Sequence, residues 1–324
     1  MRRTLACAVA LCLAPPLAAQ TSQPEAMQWL QRVAVATQKL SFSGTFVYQN
    51  GRQSETSRIV RWAGNGRQIE KIEVLDGSPR EVIRQDDEVR CYLPENRLVI
   101  VEQRSTRRNF PALLPASLAG LREYYHIRLE GAARIAGQES QIVRLDPRDA
   151  WRYGHRFWVA REAGLLLRAD IWNAAGEPLE TIAFTELRLG EPASPELLRP
   201  SSGEGKEAWQ VRQAKLRELR DDGPWLFGAE LPGFRRQAAL RRILPGGAEP
   251  AEVLHWIFSD GLAAISVFIS PAAEANASSE TEVRTMGAIS VAKRHLAGHR
   301  IVVMGDVPPA AVQYFAAGIG MREK

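Results

Sequence analysis

His126, His155, His255, His295 and His299, with Cys91 and the acidic run Asp86-Asp87-Glu88, are the residues through which this sequence could do catalytic or metal chemistry. His295 and His299 stand four apart, a spacing that on a helix puts two imidazoles on one face for a metal. Gly298 between them and the apolar Ile301-Val302-Val303 that follows predict a hairpin instead, and there the geometry fails. No Cys or Asp cluster supports any of the histidines. Acid–base work by carboxylates needs two of them held apart across a cleft, whereas Asp86-Asp87-Glu88 reads as a solvated hairpin tip. Gly203-Glu204-Gly205-Lys206 has the look of a phosphate loop, but Pro200 stands where its first glycine belongs and Glu207 where a Ser or Thr would hold magnesium. The chain has neither a Gly-x-Ser-x-Gly elbow nor a His-Glu-x-x-His pair. Cys91 lies in an alternating apolar stretch and reads as a buried, inert thiol. Asn276-Ala277-Ser278 matches a glycosylation sequon, which an exported bacterial chain leaves uninformative. The expectation is a binding protein without catalytic residues, metal or cofactor.

Binding chemistry is better represented. Trp151, Tyr153, Phe157, Trp158 and Trp172 fall in two neighbouring predicted strands. Phe157 and Trp158 are consecutive and so point to opposite faces, and both faces then need cover. A helix can cover one. The other either lines a ligand cavity or partner site, or is covered by the chain's own second domain or the segment around Phe110. Arg104, Arg107 and Arg108 stand beside Phe110, Leu113 and Leu114. Basic heads next to apolar side chains suit an anionic lipid or an amphipathic peptide; the alternative is a solvated charge run beside a core-filling loop.

The elements that would position these residues follow from periodicity. Arg2 and Arg3, the apolar 5–13, the break at Pro15-Pro16 and the small residues of Leu17-Ala18-Ala19 make residues 1–19 a signal peptide and predict export of the mature chain. Cleavage there removes two of three cysteines, so no internal disulfide can form. It also takes 42 Lys and Arg against 37 Asp and Glu to 40 against 37, an excess too small for a nucleic-acid binder. Ser22 and Glu25 form a capping box ahead of a helix whose apolar stripe is Met27, Leu30, Val33, Thr37 and Leu40. Period-two strands then recur from residue 40 to 102, with turns at Asn50-Gly51, Gly64-Asn65-Gly66 and Asp76-Gly77-Ser78-Pro79, as in an antiparallel meander. Residues 104–121 interrupt it, with a short helix over 116–122, and strands resume from 125 to 189. A Pro-, Ser- and Gly-rich stretch over 191–205 and a charged helix over 206–220 make residues 191–224 a linker. Residues 20–190 are then one domain and 225–324 a smaller one, with a hairpin about Asp260-Gly261, strands over 288–293 and 300–304 and a closing helix from Pro308-Pro309 to Ala317.

The order and spacing of several motifs carry more than any one of them. They are Leu75-Asp76-Gly77-Ser78-Pro79-Arg80-Glu81-Val82, Arg152-Tyr153-Gly154-His155-Arg156-Phe157-Trp158-Val159, Leu167-Arg168-Ala169-Asp170, Gly176-Glu177-Pro178-Leu179-Glu180, Leu231-Pro232-Gly233-Phe234, Phe258-Ser259-Asp260-Gly261-Leu262 and Val307-Pro308-Pro309. Together, over nearly the whole mature chain, they resemble the RseB/MucB family of periplasmic regulators of extracytoplasmic sigma factors. The resemblance implies an α+β fold: an unclosed antiparallel β half-barrel over helices, like the LolA and LolB lipoprotein carriers, followed by a smaller C-terminal α+β domain. It implies binding to the periplasmic segment of an inner-membrane anti-sigma factor, protection of that segment from site-one proteolysis, and release by lipid or lipopolysaccharide-like stress signals. Nucleic acid is not an expected partner, and a homo-oligomer is left open. Candidate lipid contacts are Arg104, Arg107, Arg108, Phe110 and Leu114; candidate partner contacts are Trp256, Phe258 and Phe268, strand residues that could equally be core. The alternative is a periplasmic lipid or lipoprotein carrier, and since such carriers look like the first domain alone, the second domain favours the regulator.

Overall fold

The computed structural model describes residues 23–103, 110–115, 117–190, 194–201, 209–214, 216–244, 251–272 and 280–322. The signal peptide 1–19, Ser22 of the capping box, Arg104, Arg107, Arg108, Gly203-Glu204-Gly205-Lys206 and the sequon Asn276-Ala277-Ser278 lie outside the described residues.

Helix α1, Gln23–Lys39, buries the stripe read from its spacing, with Met27, Leu30, Val33 and Thr37 facing inward. Its buried Thr37 hydroxyl donates to the Val33 carbonyl at 3.0 Å, which satisfies the one polar atom in that stripe. The strands of the first domain are β1 Phe42–Asn50, β2 Gln53–Gly64, β3 Arg67–Val74, β4 Glu81–Gln85, β5 Glu88–Leu93 and β6 Leu98–Gln103. After the one-turn helix α2, Leu121–Tyr124, come β7 Tyr125–Ile135, β8 Gln138–Pro147, β9 Gly154–Ala160, β10 Leu166–Trp172 and β11 Pro178–Leu189. With β12, Gln210–Gln213, they form one sheet in the order β12-β6-β5-β4-β3-β2-β1-β11-β10-β9-β8-β7. Every pairing is antiparallel except β12 on β6.

The sheet is unclosed but strongly curled. Three strands separate β11 from β7, which in a flat sheet would hold them about 19 Å apart. Their Cα atoms nonetheless approach within 8 Å. The hollow so made holds α1, which touches β2, β7 and β8. Arg61 ties the far end of that helix to the sheet: its guanidinium donates to the Thr37 carbonyl and pairs with buried Glu70 at 2.9 Å.

The second domain is a sheet in the order β13-β15-β16-β17-β20-β19-β18. Its strands are β13 Leu216–Glu218, β15 Arg235–Leu244, β16 Ala251–Ser259, β17 Ala264–Pro271, β18 Glu282–Met286, β19 Ile289–Leu296 and β20 His299–Gly305. Helix α3, Pro309–Ala317, packs on β18, β19 and β20, and a two-stranded ribbon joins β14, Trp225–Phe227, to β21, Ile319–Met321. The expected hairpin at Ala297-Gly298 is present, and it separates His295 and His299 onto facing strands.

Two expectations are corrected. The charged helix over 206–220 is instead two strands, β12 and β13, belonging to different sheets. Edge pairing gives this polar stretch the backbone partners that a solvated helix would have made internally: Gln210 N–H donates to Arg97 and Ala214 N–H to Val101. The short helix over 116–122 forms only as the single turn α2. No helix among the described residues is long and apolar enough to cross a membrane.

Candidate functional site

The hollow of the first domain is filled by the chain itself. Phe110 packs between Phe184 and Phe46, with ring centroids 4.9 and 5.4 Å away, and is 4% exposed. Leu114, Leu118 and Leu121 join it in one cluster with Met27, Leu30 and Val33 of α1. The structure thus places the lipid candidates Phe110 and Leu114 in the core, as a plug against the inner sheet face.

The outer face, which Trp158 and Trp172 share, is covered by arginines. Phe157 is core, while Trp158 and Trp172 point outward beneath arginines. Arg168 lies 4.6 Å over the Trp158 ring, and Arg144 and Arg156 lie 3.5 and 5.0 Å over Trp172. Those arginines are paired in turn with Asp146, Asp170 and Glu130. Cation–π contact covers these rings, so neither a ligand nor the second domain is needed there. Gly154 belongs to the same patch, since the Trp172 indole sits 2.3 Å from where a Cβ would stand.

Residues from several of the motifs, Arg152, Pro232, Phe234 and Asp260 among them, converge where the two domains meet. The Arg152 side chain is fully buried, and its guanidinium pairs with the fully buried Asp260 carboxylate of the second domain. It also donates to the Pro232 carbonyl and, at 3.0 Å, to Asp149. The rings of Tyr124 and Phe234 flank it at 4.7 and 5.2 Å. Asp260 accepts further bonds from the Tyr125 hydroxyl at 3.1 Å and from the N–H groups of Leu262 and Ala263, both at 2.9 Å. Burial opposes the charge on Arg152, but its bond to Asp149 and the Asp260 carboxylate still raise its pKa. The Tyr125 hydroxyl is pushed well above its usual range by burial and then by Asp260. Gly233, at φ +80°, brings the backbone against the Tyr124 ring, where a Cβ would lie 2.4 Å from it.

A second part of the joint is acidic. Glu180 of β11 accepts from Ala288 N–H across the joint at 3.1 Å, and Tyr48 is bonded to it. Burial, then the Glu180 charge, pushes Tyr48 up to about 12, and burial raises Glu180 itself. Trp151 packs against Tyr314 of α3, ring centroids 5.1 Å apart and tilted by 31°. His155 is buried below Tyr125, and burial lowers its pKa to about 4, so it sits neutral in the core.

Of the expected partner contacts, Trp256 is corrected. It is 0% exposed, and its Nε1–H donates to Asp222 at 2.8 Å, which makes it the centre of the second core. Phe258 is half-buried between Phe227 and Phe315. Phe268 lies on the other sheet face, away from α3, stacked on His255 at 4.1 Å and opposite Val302. Ile257, Val302 and Met304 share that face half-buried, and the alternation of β16, β17 and β20 was the signal that could have found it. The pairing of Arg152 with Asp260 had no such signal, because 107 residues lie between them and Asp260 reads locally as a turn residue.

A curled, unclosed sheet plugged by its own loop and joined by a buried ion pair to a smaller α+β domain defines a two-domain binding protein. Comparison with known proteins carries this further. The model of the MucB/RseB N-terminal domain matches residues 25–202, and that of the MucB/RseB C-terminal domain matches residues 220–320. This chain belongs to the MucB/RseB family, whose members are regulatory binding proteins and not enzymes. It is 30% identical over 92% of both chains to the sigma factor AlgU regulatory protein MucB of Pseudomonas aeruginosa. It is 26% identical to the sigma-E factor regulatory protein RseB of Salmonella typhimurium, over 93% of this chain and 92% of that one. Among solved structures, the Pseudomonas aeruginosa MucA/MucB complex matches at 28% identity and a TM-score of 0.72, covering 93% of this chain and all of that one. MucB in complex with the periplasmic part of MucA matches at 26% identity and 0.71, covering 92% and 100%.

Proposed function

We propose that this chain is a periplasmic negative regulator of an extracytoplasmic sigma factor. It binds the periplasmic segment of a membrane anti-sigma factor, shields that segment from site-one proteolysis and lets go when a lipid-type signal binds. The observation that carries the reading is that a relative sharing both domains end to end was solved bound to the periplasmic part of MucA. Docking is assigned to the face of the second sheet away from α3, around Phe268, with the half-buried Phe258 on the opposite face. Lipid entry is assigned to the plugged hollow. An acyl chain takes the place of Phe110 and Leu114, while Arg104, Arg107 and Arg108 meet its anionic head group. The loop and the lipid compete for one space, so the ligand acts only through its preference for the unplugged state.

The test mixes the chain with the periplasmic segment of its cognate anti-sigma factor and the site-one protease, with and without lipopolysaccharide. The expected result is protection that lipopolysaccharide abolishes. Cleavage at the same rate with and without this chain sinks the reading. Replacing Phe268 with Asp, at a half-buried position stacked on His255, is expected to weaken binding at least tenfold, with folding checked by the urea transition. A pull-down that returns a mixture of lipoproteins in place of one single-span partner would instead favour a carrier.

A further inference from the structure

The face of the second sheet that points away from α3 is apolar in its middle and cationic along one flank. Residues paired directly across antiparallel strands share a face, so the register fixes what lies on it. One row runs from His255 of β16 through Phe268 of β17 and Val302 of β20 to Lys293 of β19. The next runs from Ile257 through Ser266 and Met304 to Val291. Arg300 stands two residues before Val302 on β20, opposite Ser270 and His295. Lys293 and Arg300 are exposed, and neither has a hydrogen-bond or ion-pair partner among the described residues. Glu282 of β18 lies opposite Lys293, but its carboxylate is taken by Arg284. By contrast, Arg236 and Arg241 of the same sheet are paired with Asp222 and Glu252. Resting on the reading that an anti-sigma segment docks on this face, we propose that the segment is acidic and amphipathic: its apolar side chains cover Phe268, Val302 and Met304, and its carboxylates meet Lys293 and Arg300.

The apolar rows by themselves do not select an occupant; the charges beside them do. A cation left unpaired at the rim of an apolar patch attracts and steers a partner of opposite sign, over about 10 Å at 0.1 M salt. The four strands from β16 to β19 span about 14 Å, enough to seat one helix about 10 Å across. The geometry also orients the segment. On the flank opposite the cations, Arg242 of β15 is paired with Glu102 of the first domain at 3.3 Å, so the first domain bounds the face there. The acidic side of the segment therefore points away from the first domain. An anionic lipid surface would meet the same charges, but membranes take up apolar side chains that project from the surface. Ile257, Phe268, Val302 and Met304 are half-buried in the plane of the sheet, which suits a peptide laid across them.

The experiment measures binding of the periplasmic segment of the cognate anti-sigma factor to the full mature chain by fluorescence anisotropy, from about 0.05 to about 0.5 M NaCl. Wild-type affinity is expected to fall about tenfold across that range. The double variant Lys293→Glu, Arg300→Glu is expected to bind about tenfold more weakly at low salt, with a flat or rising salt profile, because its charges then repel. Arg58→Glu, the same reversal on the first domain, should match the wild type. Both reversed positions are exposed, and an unchanged urea transition checks the fold. Should the double variant not fold, Lys293→Gln alone is expected to lose about half of the salt dependence. Binding that ignores both salt and the double variant overturns the proposal and leaves the regulator reading standing; no binding by any form removes both. Binding to phosphatidylglycerol vesicles, or dimerisation of the chain, that the double variant abolishes while the affinity for the segment stays the same overturns it too, and gives the face to a membrane or to a second copy.

Discussion

At the scale of single residues, several buried charges are engaged in internal pairing. Arg152 is the clearest case, because its charge is held in a fully enclosed site by Asp260, Asp149 and the Pro232 carbonyl. A buried ion pair contributes modestly as a whole, but removing one partner leaves the other charged and desolvated. Arg152→Ala is therefore expected to cost about 3–5 kcal/mol in urea unfolding, whereas Arg58→Ala, whose pair with Glu73 is exposed, should cost less than about 1 kcal/mol. Equal losses at the two sites would show that the joint is not a buried lock. Lys71 and Glu81 form a similar pair at 3.2 Å, and together they hold Arg199 and Ser201 against the outer surface of the first domain.

At the scale of elements, the 191–224 stretch is better described as a strap than as a tether. It is held at Lys71, runs as β12 along the edge of β6, and enters the second sheet as β13 three residues later. Arg242 of β15 meets Glu102 of β6 beside that crossing at 3.3 Å. Gln210→Pro deletes the N–H that donates to Arg97 and is incompatible with a paired edge. It is expected to raise amide exchange along β6 and leave β1 and β2 unchanged; unaltered protection of β6 would mean that β12 is not held there. The plug loop behaves differently, because its anchor is apolar. Phe110→Ala empties space between Phe46 and Phe184 and is expected to cost about 3–5 kcal/mol. A loss well under 1 kcal/mol, read as the change in urea midpoint, would indicate that the ring is not packed in the hollow.

At the scale of the whole molecule, His155 and Asp306 make global stability respond to pH in opposite directions. His155 has a folded pKa near 4 against an ordinary 6.5, so its contribution is present above 6.5 and is lost as pH falls towards 4. Asp306, with its folded value raised to about 7, contributes fully below 3.8, and that contribution is lost as pH rises to 7. The two effects offset each other between pH 4 and 6.5. His155→Gln is expected to unmask stability that grows on acidification, and Asp306→Asn stability that declines on it, both measured by urea midpoints across that range. Parallel profiles for the two variants would contradict both assignments.

What the chain's own pattern determined was local. Period-two alternation between turn residues specified the meander, and the apolar stripe of residues 27–40 specified α1, because those signals repeat within a few residues. The stretch Arg235–Leu244 escaped such reading, since pairs of arginines at both ends mask its alternation. The order of motifs along the chain pointed to the family but did not say why those residues recur together. Tertiary structure decided that Phe110 fills the hollow, that Trp256 is core, that arginines roof Trp158 and Trp172, and that Arg152 meets Asp260. Each of these depends on contact between segments distant in sequence, and a residue's type does not encode which far-off partner will satisfy its charge or cover its ring.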